Sequence, residues 1–142
     1  MKTFIDTWGW LVLGDNKEKY HKKVREWYSS YRQNGGKILT SDYILDETYT
    51  LLFRRVHFDM AISSLDSIQK SIEEGFVKVE WVTPLRFEKT KELRHKYSDK
   101  PYISFTDLTS MLLMQELNIS KILTDDDHFL QVGMGFSKIP DT

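Results

Sequence analysis

The sequence contains no cysteine. This excludes disulfides, thiolate nucleophiles and cysteine-based zinc sites, and leaves any metal to oxygen or imidazole ligands. Glycine and proline are sparse, at seven and three residues in 142, which argues against a disordered or low-complexity chain. Long apolar runs are missing too: Ile5 to Leu13 and Met111 to Met114 are short or interrupted, far below the roughly 20 residues that cross a bilayer. No secretory pattern opens the chain, so a soluble, cytoplasmic protein is expected, with no membrane association. Neither sign of charge dominates: 20 basic residues stand against 21 acidic ones. Binding of nucleic acid through global charge is therefore not indicated. Also absent are a glycine-rich phosphate loop after the first strand, any intrinsic DNA-binding motif of the helix-turn-helix or zinc-finger kind, and internal repeats.

What remains is an ordinary globular composition, 40% hydrophobic and 29% charged, long enough for one domain over residues 1–142 with its own core. Basic residues are locally concentrated. Lys17, Lys19, Lys22, Lys23, Arg25 and Arg32 outnumber Glu18 and Glu26, and residues 86–100 hold a second excess. Such patches suit phosphates, and they equally suit the solvated faces of two helices.

Hydrophobic spacing gives the elements. Lys2 to Asp6 reads as a short strand whose last residue is acidic. Tyr20, Val24, Trp27 and Tyr31 form one stripe of a helix over 17–31, stopped by Asn34-Gly35-Gly36. Lys37 to Ser41 is a second strand, and Ser41 or Asp42 caps a helix from about Tyr43. A helix over 59–74 is expected to bury Ile62, Leu65, Ile68 and Ile72, with Gly75 ending it. Phe76 to Val82 is a third strand; Thr83-Pro84 then caps a helix over 85–97. Phe105 to Leu117 is the most apolar helix, with methionines that read as core filling. Lys121 to Thr124 is a fourth strand, and residues 136–140 suggest a short edge strand. Alternation of strands and helices predicts an α/β fold with a mostly parallel sheet covered on both faces.

In such sheets, sites form beyond the carboxyl ends of the strands. Asp6, Glu47 and the triplet Asp125 to Asp127 fall at or just after strand ends, and Asp107 lies near the start of the helix leading to strand four. Four carboxylates drawn together repel one another unless a cation neutralises them, so the pattern favours a metal site over a bare acid-base pair. Oxygen ligands favour Mg²⁺, with Mn²⁺ also accommodated. Such an ion suits phosphodiester hydrolysis, because it acidifies a bound water and stabilises charge on the phosphoryl oxygens. A non-catalytic RNA-binding or protein-interaction module on the same fold is the alternative.

The blocks Phe4-Ile5-Asp6-Thr7, Thr40 to Thr48, Ile103 to Ser110 and Ile122 to Phe129 together resemble those of PIN domains, most closely the VapC-type toxin ribonucleases of VapBC toxin-antitoxin pairs. The resemblance implies a PIN-like three-layer α/β/α sandwich. It also implies a metal-dependent endoribonuclease that leaves a 3'-hydroxyl and a 5'-phosphate, together with homodimerisation and inhibition by a small antitoxin protein. Carried over residue by residue, Asp6, Glu47 and Asp107 match the first three acidic catalytic and metal-binding positions. Asp126 matches the fourth, with Asp125 and Asp127 as alternatives in register. Thr7 and Thr124 are expected to support the ligand carboxylates. Ser110 is expected on the rim of the site, and His128, with Phe129 beside it, reads as a packing or locally hydrogen-bonded residue or else as a substrate contact or proton-transfer group. Trp8, Trp10 and Trp27 read as core or as a partner surface.

Overall fold

The computed structural model describes residues 1–140. Five strands form one parallel sheet: β1 (Lys2–Ile5), β2 (Lys37–Ser41), β3 (Val77–Glu80), β4 (Lys121–Leu123) and β5 (Ser137–Ile139), in the order β3-β2-β1-β4-β5. The sheet is thus wholly parallel, and the tail strand lies at its edge as expected. Seven helices connect the strands: α1 (Thr7–Gly14), α2 (His21–Gln33), α3 (Asp42–Arg55), α4 (Phe58–Glu73), α5 (Pro84–Lys96), α6 (Phe105–Glu116) and α7 (His128–Gln131).

The chain first winds outward from β1 through β2 to β3, then returns across the sheet to β4. Crossovers between parallel strands are right-handed as a rule, which sends the helices of the outward and return paths to opposite faces. The winding reverses between β1 and β4, so the crevice at their carboxyl ends is the place where this topology opens a site. Phe4, Ile5, Ile38, Ile122 and Leu123 in the inner strands are buried. Each contributes roughly 1.5–3 kcal/mol through removal of apolar surface from water.

Helix α1 is the element that hydrophobic spacing did not announce. Thr7, Gly9, Trp10, Leu11 and Val12 are all buried, so it has no polar face and no amphipathic period to read. Gly9 lets it approach the sheet: a Cβ there would stand 2.7 Å from Leu123 Cδ2 and 2.8 Å from Ile5 Cγ2. The Trp10 indole donates to Thr40 Oγ1 at 3.2 Å, and that hydroxyl donates to the Ile5 carbonyl at 3.2 Å. Helix and two strands are thereby tied together immediately before Asp6.

Three other expectations shift in detail. Residues 17–20 form turns before α2, which begins at His21. On α4 the buried stripe runs through Ala61, Ile68 and Ser71, while Ile62 is exposed; the helix is rotated relative to the stripe that the apolar residues alone suggest. Trp10 belongs to the core, and Trp8 and Trp27 pack against it. Among the described residues, no helix is long and apolar enough to cross a membrane.

Candidate functional site

Asp6 follows β1 and caps α1, with its Oδ1 accepting from the Thr7 backbone N–H at 2.9 Å. Its other oxygen accepts from Thr124 Oγ1 at 2.8 Å. Thr124 follows β4, the neighbour of β1, and its hydroxyl in turn accepts from the Asp126 backbone N–H at 3.1 Å. Asp126 Oδ1 accepts from the His128 backbone N–H at 2.8 Å, closing a tight turn into α7. One hydroxyl therefore connects the two segments on either side of the winding reversal.

Asp107 comes from α6, where Ser104 is the N-cap and its Oγ accepts from the Asp107 backbone N–H at 3.0 Å. This cap fixes the first helical turn and with it the carboxylate-bearing residue. Ser104 was not singled out in the sequence, although a serine three residues before an acidic one at the start of an apolar run is a capping signature. His128 Nδ1 lies 3.1 Å from Asp126 Oδ1 and 3.7 Å from Asp107 Oδ2. Ligand atoms of Asp107, Asp126 and His128 all fall within 4.8 Å of one another.

The electrostatics reflect crowding in a poorly solvated place. Burial, and next the charge of Asp107, raise the Asp6 carboxyl from its ordinary 3.8 to about 7, against the lowering effect of the Thr124 and Thr7 hydrogen bonds. Burial, then Asp126, raise Asp107 to about 6; the Ser104 bond and His128 oppose this, and Glu47 adds to it. Among the described residues, neither carboxyl forms an ion pair with a lysine or arginine; the one ion-pairing neighbour of Asp107 is His128.

The other sequence candidates take distinct places. Glu47 is exposed on α3 and lines a cleft with Arg54 and Thr106, so it faces α6 from outside the Asp107–Asp126–His128 group. Of the acidic triplet, Asp127 pairs with Lys138 and Asp125 is exposed, while Asp126 is drawn inward. Asp42, considered as a cap, instead accepts from the Val82 backbone N–H at 2.7 Å; Ser41 caps α3. Ser110 is completely buried, not on a rim. Its hydroxyl and that of Thr7 are both buried without a hydrogen-bond partner.

A family model described as PIN domain matches residues 3–134. The chain belongs to the PIN domain family. Over 130 residues, this PIN domain is 28% identical to the 23S rRNA-specific endonuclease VapC20 of Mycobacterium tuberculosis, covering 92% of this chain and 93% of that protein. The crystal structure of that mycobacterial protein, a sarcin-ricin loop cleaving toxin, aligns with a TM-score of 0.76 over 92% of this chain and 95% of that one. VapBC2 from Rickettsia felis, crystallised with a DNA fragment from its promoter, shares the fold at a TM-score of 0.69 and 14% identity, with 97% of each chain covered.

Proposed function

We propose that this PIN domain is a metal-dependent endoribonuclease and the toxin of a toxin-antitoxin pair, acting in the cytoplasm on an RNA substrate. The observation that carries the reading is the convergence of Asp6, Asp107 and Asp126 at the winding reversal, with the Asp6 and Asp107 carboxyls driven toward neutrality by burial and by neighbouring carboxylates. The donor set fits a divalent cation: carboxylate oxygens and one imidazole, with no lysine or arginine ion-paired to Asp6 or Asp107 among the described residues. Thr7, next to Asp6, and Ser110, one turn beyond Asp107, carry unpartnered buried hydroxyls. In this reading Asp6, Asp107 and Asp126 hold Mg²⁺ or Mn²⁺, and Glu47 contributes negative charge from the α3 side. The bound cation supplies Lewis acidity toward a phosphoryl oxygen and acidifies a water.

The protein's own part is orientation. Thr124 holds Asp6, Ser104 holds the turn bearing Asp107, and the His128 N–H holds Asp126. Exposed Lys22, Lys23 and Arg25 on α2 offer cationic purchase for phosphates flanking the cut. Similarity to VapC20 makes ribosomal RNA the first substrate to test, and a small antitoxin and a second copy of this chain the first partners to seek.

The test is incubation of ribosomes and purified 23S rRNA with the protein in Mg²⁺ or Mn²⁺, alongside Asp6→Asn and Asp107→Asn. Discrete cleavage by the native protein and loss of at least about a hundredfold in both variants is expected, the scale of removing transition-state charge stabilisation. Cleavage unchanged in both folded variants would sink the reading.

A further inference from the structure

The sequence draws attention to carboxylates, yet the tightest group of ligand atoms in the described structure includes an imidazole. Nδ1 of His128 is shielded from solvent and has no aligned hydrogen-bond partner, although a carboxylate oxygen stands 3.1 Å away. Buried polar atoms are nearly always satisfied, so this nitrogen has a bonding capacity that the protein alone leaves unused.

Its distances to the two carboxylates are compatible with shared ligation of one small cation. For metal–ligand bonds of about 2.1 Å, adjacent octahedral positions are about 3.0 Å apart and opposite ones about 4.2 Å. The separations of His128 Nδ1 from Asp126 Oδ1 and Asp107 Oδ2, 3.1 and 3.7 Å, fall within that span. The backbone is held on both sides of the ring: the His128 N–H bonds to Asp126 Oδ1, and the next residue, Phe129, is fully buried. The His128 side chain remains 25% exposed, which gives the other ring nitrogen access to water and lets it carry the proton of the neutral tautomer.

The geometry points to His128 as a direct ligand, through Nδ1, of the divalent cation held by Asp107 and Asp126. This rests on the metal-dependent reading above and sharpens it. An imidazole in the ligand set changes which ion is preferred: carboxylates and waters suit Mg²⁺, whereas a nitrogen donor raises affinity for transition metals. The centre is thus a mixed one that favours Mn²⁺ over Mg²⁺.

The competing role for the same atoms is a protonated His128 acting as a built-in counter-ion that bridges the two carboxylates. That arrangement occupies the cation's place, so removing the imidazole would tighten Mn²⁺ binding or leave it unchanged. The two roles therefore give opposite results.

The experiment is Mn²⁺ titration of the full-length protein followed by electron paramagnetic resonance, with pulsed detection of ¹⁴N coupling to the bound ion. His128→Asn, His128→Ala and the site control Asp107→Asn are compared, each checked for a native thermal transition. Native protein should show ¹⁴N coupling that both His128 variants lose, with Mn²⁺ affinity weakened about tenfold or more and Mg²⁺ affinity changed far less. Mn²⁺ bound in an Asp107-dependent manner without ¹⁴N coupling overturns the assignment of His128 and leaves the metal-dependent nuclease standing. Tighter or unchanged Mn²⁺ binding in the His128 variants does the same. Failure of Mn²⁺ and Mg²⁺ to bind the native protein at all sinks the metal-dependent function, and this ligand with it.

Discussion

Thr124 Oγ1 donates to Asp6 Oδ2 at 2.8 Å across 118 residues of sequence, and it is the same hydroxyl that accepts the Asp126 N–H. Replacing Thr124 by Val keeps the shape and removes both bonds. Because the Thr124 bond lowers the Asp6 carboxyl, its loss should raise that carboxyl further and move the onset of Mn²⁺ binding to higher pH. The fold should weaken by about 1–3 kcal/mol, the cost of stranding a buried polar group. Denaturant titration and a pH series of metal binding check the two effects separately.

Asp6 at about 7 and Asp107 at about 6 both sit above the ordinary 3.8. The folded, metal-free protein therefore binds more protons than the unfolded chain between about pH 4 and 7. Stability from these groups is full below pH 4 and is lost as pH rises through 6 and 7, by an amount on the order of a few kcal/mol. Asp6→Asn should abolish much of that fall and stabilise the metal-free protein at neutral pH. Urea denaturation from pH 4 to 8, with and without Mn²⁺, should show stabilisation by the metal growing with pH.

Gly9 sits where α1 crosses β1 and β4, and its missing Cβ lets the helix that Asp6 caps lie directly against Ile5 and Leu123. Gly9→Ala should lower stability by about 1–3 kcal/mol through overpacking against Leu123 and Ile5. The loss of nuclease activity should exceed what the unfolded fraction accounts for. Comparing the denaturation midpoint with activity in RNA cleavage distinguishes the two.

Arg94 on α5 donates to the carbonyls of Tyr97, Lys100 and Ile103. These bonds fold the 97–103 loop onto the residue before Ser104, so Arg94 positions the cap that fixes Asp107. Arg94→Lys cannot span three acceptors with one ammonium group. Its expected outcome is a stability loss of roughly 1–2 kcal/mol and weaker Mn²⁺ binding, measured by calorimetry, with no change in RNA affinity.

The parallel sheet and most helices were legible because amphipathic spacing, capping residues and turn glycines agree: Ser41, Thr83-Pro84 and Gly75 act where the sequence places them. Helix α1 was not, since a helix buried on nearly every side has no 3.6-residue contrast, and its two tryptophans and two glycines resemble no regular pattern. Asp6 and Asp107 were readable as strand-end and helix-start carboxylates. Glu47 was readable as a residue of the early turns of α3, and the sequence left open whether it faced the surface or the site, because helix phase fixes a direction only once the helix is docked; it is exposed. The rotated α4 stripe has the same origin: four apolar residues on one face do not decide the rotation when Ala61 and Ser71 allow closer approach on another. Asp125, Asp126 and Asp127 differ through partners distant in sequence or in backbone direction, Lys138 for one and the His128 N–H for another.

The pairing of β1 with both β2 and β4 also sets an order of events. Asp6 precedes Thr124 by 118 residues and acquires its threonine partner only once β4 and the residue after it have been synthesised. A partly synthesised chain lacking β4 has neither Thr124 nor Asp126, so its acidic centre is incomplete. The separation of 118 residues between Asp6 and Thr124 makes synthesis through β4 a precondition for assembling the site.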